Sequence, residues 1–157
     1  MDSAHRVVPA GVDGIRKKIN RMRKFLIAGH GQFASGLKSA LDIIAGEIDR
    51  VWTIDAYVDE NKTIETEIRE VVSQLSKDDE LIVLTDLMGG SITNQVIRSV
   101  DLNRVYVLSG VNFPVLIDLV MSDPDTPTAE AIESALTIGR EQLVHVNKLI
   151  DNPNTHD

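Results

Sequence analysis

From Phe25 onward the apolar residues fall alternately into short unbroken runs and into stripes at helical spacing. Phe25-Leu26-Ile27-Ala28 is such a run and predicts a buried strand, closed at once by the turn Gly29-His30-Gly31. Phe33, Ala34, Leu37, Ala40, Leu41 and Ile44 then recur at helical spacing, with Gly46 as a C-terminal stop. Val51 to Tyr57, rich in β-branched and aromatic residues, predicts the second strand. Asp59-Glu60-Asn61 opens a second helix with acids in its first turn, and Ile64, Ile68, Val71, Val72 and Leu75 form its buried stripe. Glu80 to Asp86 is apolar without alternation, as in a strand covered on both faces, and so predicts a parallel sheet. A second glycine-rich turn, Leu87-Met88-Gly89-Gly90-Ser91, leads into the helix of Ile92, Val96, Ile97 and Val100. Arg104 to Leu108 is the fourth strand, and Phe113-Pro114 starts a short helix from Val115 to Met121. After the turn Asp123–Pro127, the spacing from Thr128 through Val146 predicts one long last helix to about Ile150.

Strand, turn and helix thus alternate four times. That pattern calls for right-handed βαβ crossovers and an α/β fold of flavodoxin-like type. The expected architecture is a doubly wound, mainly parallel four-stranded sheet with helices on both faces and a long C-terminal helix.

Composition narrows the class. With 157 residues, 43% hydrophobic and 25% charged, the chain is long enough for one domain with its own core. The three phenylalanines, two tyrosines and one tryptophan leave that core to Val, Ile, Leu and Ala. No apolar run approaches the roughly 20 residues of a membrane span, the N-terminal segment has no secretory apolar stretch, and the absence of cysteine fits a reducing compartment. A cytoplasmic location is the expectation. The net charge of −8 is uneven: residues 1–24 carry seven basic and two acidic groups, a net +5, which leaves −13 on the other 133. An acidic body repels nucleic acid and suits a basic protein partner. Residues 1–21 read as a basic leader outside the fold, 22–150 as the domain and 151–157 as a polar tail.

A parallel sheet opens its strand carboxyl ends on one edge, where ligands bind. His30 follows the first strand there, Asp86 the third and Asn112 the fourth, and Gly89-Gly90-Ser91 faces the same edge. A carboxylate beside a histidine holds one tautomer and leaves the other ring nitrogen a neutral nucleophile. Glycines let main-chain N–H groups approach an oxyanion, and Ser91 adds a hydroxyl at a helix start. Gly31, Gly89, Gly90 and Ser91 are the candidate phosphate-binding residues, and with His30 and Asp86 they compose a phosphohistidine site. Positioning and charge stabilisation carry most of phosphoryl transfer, so few side chains suffice.

Every member also has a purely structural reading. His30 fits a turn between glycines, Asp86 a turn cap, Gly89-Gly90 helix–sheet packing and Ser91 a helix N-cap. Asn112 reads first as an Asx-turn residue. His145 reads as a partly exposed residue of the last helix, His5 and His156 receive no role, and Asp78-Asp79-Glu80 reads as a solvated loop rather than a cation site. The chain has no G-x-x-x-x-G-K-[ST] and no G-x-G-x-x-G, which argues against nucleotide and dinucleotide sites. Receiver-type chemistry lacks its acid pair and its lysine, and metal-ligand spacing is absent.

Ile27-Ala28-Gly29-His30-Gly31 with Ala34 and Gly36-Leu37, Thr85-Asp86-Leu87-Met88-Gly89-Gly90-Ser91 with Asn94, Ser109 to Leu116, and Gly139-Arg140-Glu141 together resemble one family. It is the enzyme IIA component of the mannose-type (mannose–fructose–sorbose) sugar phosphotransferase system, and the resemblance runs from about residue 22 to 150. It implies that His30 takes a phosphoryl group from phospho-HPr and passes it to a IIB subunit that serves a membrane permease. It also implies that Asp86 orients His30, that Ser91 and the glycine turn hold the phosphate, that the protein is a homodimer with closely packed or exchanged C-terminal segments, and that no metal or nucleotide cofactor is needed. Ile92 departs from the family, where proline often follows the serine. Any IIB module is expected on a separate polypeptide. A phosphotransfer subunit of a dihydroxyacetone kinase and a phosphorylation-dependent regulatory module are the alternatives. Against the first stand Val111-Asn112-Phe113-Pro114 and the lack of fused carrier domains; against the second, the lack of a DNA-binding or ATPase domain.

Overall fold

The computed structural model describes residues 22–151. The expected leader at 1–21, the tail from 152 onward, His5 and His156 lie outside the described residues. Four strands, β1 (Arg23–His30), β2 (Val51–Ala56), β3 (Glu80–Thr85) and β4 (Val105–Ser109), form one sheet in the order β2-β1-β3-β4, and every pairing is parallel. The helices are α1 (Phe33–Ala45), α2 (Ile64–Ser73), α3 (Ser91–Ser99), α4 (Phe113–Val120), α5 (Thr128–Glu141) and α6 (Val146–Ile150). Strand order reverses between β1 and β3, which makes their carboxyl ends the switch point of the sheet.

The period of two along each strand divides the core into two layers. Phe25, Ile27, Ile82, Leu84 and Leu108 pack with Ala34 and Leu41 of α1, with α4 and with α5. Leu26, Ala28, Leu81, Val83 and Val105 face the other way, onto Ile64 and Ile68 of α2 and Ile92 and Val96 of α3. Phe25, Leu26 and Ile27 are fully buried, each stabilising the fold by about 1.5–3 kcal/mol. The doubly wound arrangement expected from the unbroken runs is the one found.

Three local expectations change. The second helix starts at Ile64 rather than near Asp59, because Thr63 is its N-cap and accepts from the Thr66 N–H at 3.2 Å. The acids of its first turn are Glu65 and Glu67. Asp79 is not part of a solvated loop: it is buried, pairs with Lys24 Nζ at 2.7 Å and accepts the Ser76 N–H at 2.7 Å. The long last helix is two helices, for α5 ends at Glu141 and α6 begins at Val146, with His145 its N-cap. Residues 140–151 are all exposed. A helix draws most of its stability from a packed face, and this stretch has none within the described chain.

Arg23 ties the end of the sheet remote from His30. Its guanidinium donates to Thr128 Oγ1 at 3.1 Å, Ser122 Oγ at 2.7 Å, Asp123 O at 3.4 Å and the Thr126 carbonyl. These bonds fix the turn that precedes α5.

Candidate active site at the carboxyl edge of the sheet

β1 ends in His30, β2 runs into Tyr57 and β3 into Asp86, so three strand ends deliver three side chains to one place. Register makes the meeting specific: His30 pairs with Ala56 and Ala28 with Thr85. The His30 main-chain N–H donates to Asp86 Oδ2 at 2.8 Å, and the ring Nδ1 lies 2.8 Å from the same oxygen. A carboxylate only accepts, so Nδ1 is the ring nitrogen that bears the proton. Nε2 is left to react, on a side chain 44% exposed.

Burial works against the charge of Asp86, but the His30 N–H, the imidazole and its charge outweigh it and hold the carboxyl below its ordinary value. The site therefore carries a fixed anion. Asp86 Oδ1 is buried without a hydrogen-bond partner among the described residues, so the carboxylate is committed wholly through Oδ2 to His30.

Opposite the imidazole lies the turn into α3. The Cε1 of His30 is 3.8 Å from where a Cβ on Gly90 would sit, and Gly89 has φ +74°, a left-handed conformation suited to glycine. Ser91 is the first residue of α3 rather than its cap, which is Gly90. Its Oγ lies 2.7 Å from the Tyr57 hydroxyl. Behind the turn, Thr85 Oγ1 lies 2.8 Å from both Thr93 Oγ1 and Ser109 Oγ, and Thr93 donates to Leu87 O at 2.6 Å. This buried hydroxyl cluster anchors the loop 87–90 to the ends of β3 and β4.

The other candidates separate. Gly31, with φ +55°, donates its N–H to Ala56 O at 3.0 Å, and Gly90 donates to Leu87 O at 3.4 Å. The expected donors are thus in part engaged in the turns themselves. The first-turn amides of α3 have no intrahelical partner and supply N–H groups instead. Asn112 has a structural role, but as a helix cap rather than the expected Asx turn. It caps α4 through the Val115 N–H at 3.2 Å and donates to Gly139 O at 2.7 Å, and position 114, a proline, has no N–H for an Asx turn. Gly139 permits this approach, since a Cβ there would meet Val115 Cγ2 at 2.2 Å.

Sequence reasoning missed Tyr57 by treating it as the last residue of a strand. Its ring centroid lies 5.6 Å from that of His30 at 42°. The signal available was its position directly after the strand that neighbours β1. Among the described residues no cluster of three or more His, Asp or Glu side chains fits a metal ion, and no helix is long and apolar enough to cross a membrane.

Comparison with known proteins accords with this geometry. Residues 24–136 match the family described as EIIA-man, the phosphotransferase system (PTS) fructose IIA component. The chain is 35% identical over 121 residues to the PTS mannose-specific EIIAB component of Escherichia coli K12, covering 74% of this chain and 37% of that protein. It therefore spans little more than a third of the curated relatives it matches. A Klebsiella pneumoniae structure described as a phosphoenolpyruvate-dependent sugar PTS permease superimposes with TM-score 0.77 at 34% identity, covering 83% of this chain and 95% of that one. The PTS IIA protein associated with the fucose utilization operon of Streptococcus pneumoniae gives 0.70 at 31% identity, covering 83% and 97%.

Proposed function

Because the chain belongs to the EIIA-man family of sugar phosphotransferase system IIA components, we propose that it is a phosphocarrier whose His30 receives a phosphoryl group from phospho-HPr and passes it to a IIB subunit. The observation that carries this reading is the double hydrogen bond from His30 to one oxygen of Asp86 at the switch point of the sheet.

The Nε2 lone pair of a neutral imidazole attacks phosphorus, and the P–N bond to the donor breaks with its electron pair returning to the donor's ring nitrogen. The proton stays on Nδ1, so the phosphorylated His30 ring becomes cationic. Asp86, held ionised, offsets that charge and keeps the ring oriented. Ser91 Oγ and the first-turn amides of α3 face the phosphoryl oxygens, and the glycine turn 89–90 allows close approach. Transfer to IIB reverses the step: the P–N bond breaks with its electron pair returning to Nε2, and the cationic ring leaves as neutral imidazole.

The partners follow from the same reading: HPr, a IIB subunit and through it the membrane permease, in the cytoplasm. The net −13 outside residues 1–24 suits a basic protein partner and disfavours nucleic acid. The exposed apolar side chains of residues 143–150 support a homodimer packed through its C-terminal segments.

Incubation with HPr, the upstream kinase and radiolabelled phosphoenolpyruvate tests the proposal. Acid-labile, base-stable label on the wild type and none on His30→Ala is the expected result. Equal label on His30→Ala overturns it.

A further inference from the structure

Tyr57 combines properties that packing does not explain. Its φ is +66°, the one non-glycine residue in the left-handed region among those described. That region is disfavoured for a residue bearing a Cβ. The residue is 62% exposed, so burial does not hold it there. Two contacts do: the hydroxyl 2.7 Å from Ser91 Oγ and the ring beside the imidazole of His30. Both partners are groups that would face a phosphoryl group.

A phenol is a stronger acid than an aliphatic alcohol, so the favoured direction of this hydrogen bond has Tyr57 donating to Ser91. Ser91 then accepts on one lone pair, and its own proton is directed away from Tyr57 toward an approaching anion. Hydrogen bonds in such a chain polarise one another and strengthen the terminal donor. From this we infer that Tyr57 is a positioning residue that fixes and polarises the Ser91 hydroxyl for the phosphoryl group on His30. The inference rests on the reading that His30 is the phosphorylated residue. The left-handed backbone at Tyr57 is what turns the ring back over the strand end toward Ser91, instead of onward with β2.

The test uses phosphoramidate, a small donor that needs no partner protein, and follows phosphohistidine formation and its 31P chemical shift. Tyr57→Phe keeps the ring and removes the hydroxyl. It should slow labelling roughly 5- to 10-fold, as expected for one lost neutral hydrogen bond, and move the 31P resonance. Ser91→Ala should slow it at least as much, and Tyr57→Phe/Ser91→Ala should be no slower than Ser91→Ala, because residues acting through one bond are not additive. Tyr57→Gly relieves the backbone conformation, so a purely structural role predicts wild-type labelling, whereas positioning predicts the same slowing as in Tyr57→Phe. Wild-type rates and shift in Tyr57→Phe, or multiplied effects in the double variant, overturn the inference alone. Failure of the wild type to label, or label on His30→Ala, removes the reading beneath it as well.

Discussion

A single oxygen of Asp86 receives both the main-chain N–H and the ring Nδ1 of His30, each at 2.8 Å. Orientation and charge are therefore separable by substitution. Asparagine offers one carbonyl oxygen that accepts both bonds, so Asp86→Asn keeps the geometry and loses the anion. Alanine loses both. In the proposed mechanism the phosphorylated ring is cationic and needs the anion, so Asp86→Asn should slow transfer from phospho-HPr about 10- to 100-fold, roughly 1.4–2.7 kcal/mol, with circular dichroism unchanged. Asp86→Ala should be slower still. Quench-flow labelling distinguishes them, and equal rates in wild type and Asp86→Asn would remove the carboxylate charge from the mechanism.

The acid limb of stability follows from two depressed carboxyls. Burial opposes the charge of Asp86, but His30 outweighs it; burial opposes that of Asp79 too, but Lys24 and the Ser76 N–H outweigh it. A folded pKa below the unfolded value, about 3.9, means that the stabilisation is complete above the unfolded value and is lost as pH falls through the folded one. Thermal midpoints of the wild type should thus drop steeply below about pH 4. Asp79→Asn should melt lower at neutral pH and lose less on acidification. A parallel pair of curves would refute this.

Gly139→Ala tests the packing of α5 on α4. The added methyl meets Val115 Cγ2 at 2.2 Å and Asn112 Oδ1 at 2.9 Å, and the second contact strikes the cap of α4. Overpacking of this kind costs about 1–3 kcal/mol, a fall in Tm of roughly 2–12 °C for a chain of this length. A scanning calorimetry trace within a degree of wild type would show that the two helices yield freely.

The sheet and the central pair were readable from sequence because each rests on a strong local signal. Unbroken runs such as Leu81 to Leu84 fix a doubly covered strand, and a parallel sheet then puts His30 and Asp86 at one edge. What escaped depends on partners distant in the chain. Tyr57 acquires its role from a left-handed φ and a contact with Ser91, 34 residues away, neither of which propensity encodes. Asp79 looked solvated among acids until Lys24, 55 positions earlier by number, came to its side. The break before Val146 was hidden because apolar spacing continues through it, although the structure gives that stripe nothing to pack on. Gly31 was read as a phosphate donor from its motif, whereas strand pairing directs its N–H to Ala56.

That unpacked stripe yields the last prediction. Leu143 is 83%, Val146 57% and Ile150 71% exposed, and α6 has five residues, too few to persist in water alone. A second copy of the chain, packed through the same segment, would bury these side chains and give the helix its missing face. Replacing Leu149 and Ile150 by aspartate would then put two charges into that contact and forfeit two buried side chains of about 1.5–3 kcal/mol each, weakening association roughly 100-fold or more. Light scattering after size exclusion should report the dimer mass for the wild type and half of it for Leu149→Asp/Ile150→Asp, with phosphoramidate labelling of His30 as the check on folding. A wild type that elutes as a monomer, or a variant that stays dimeric, would assign this segment no part in self-association.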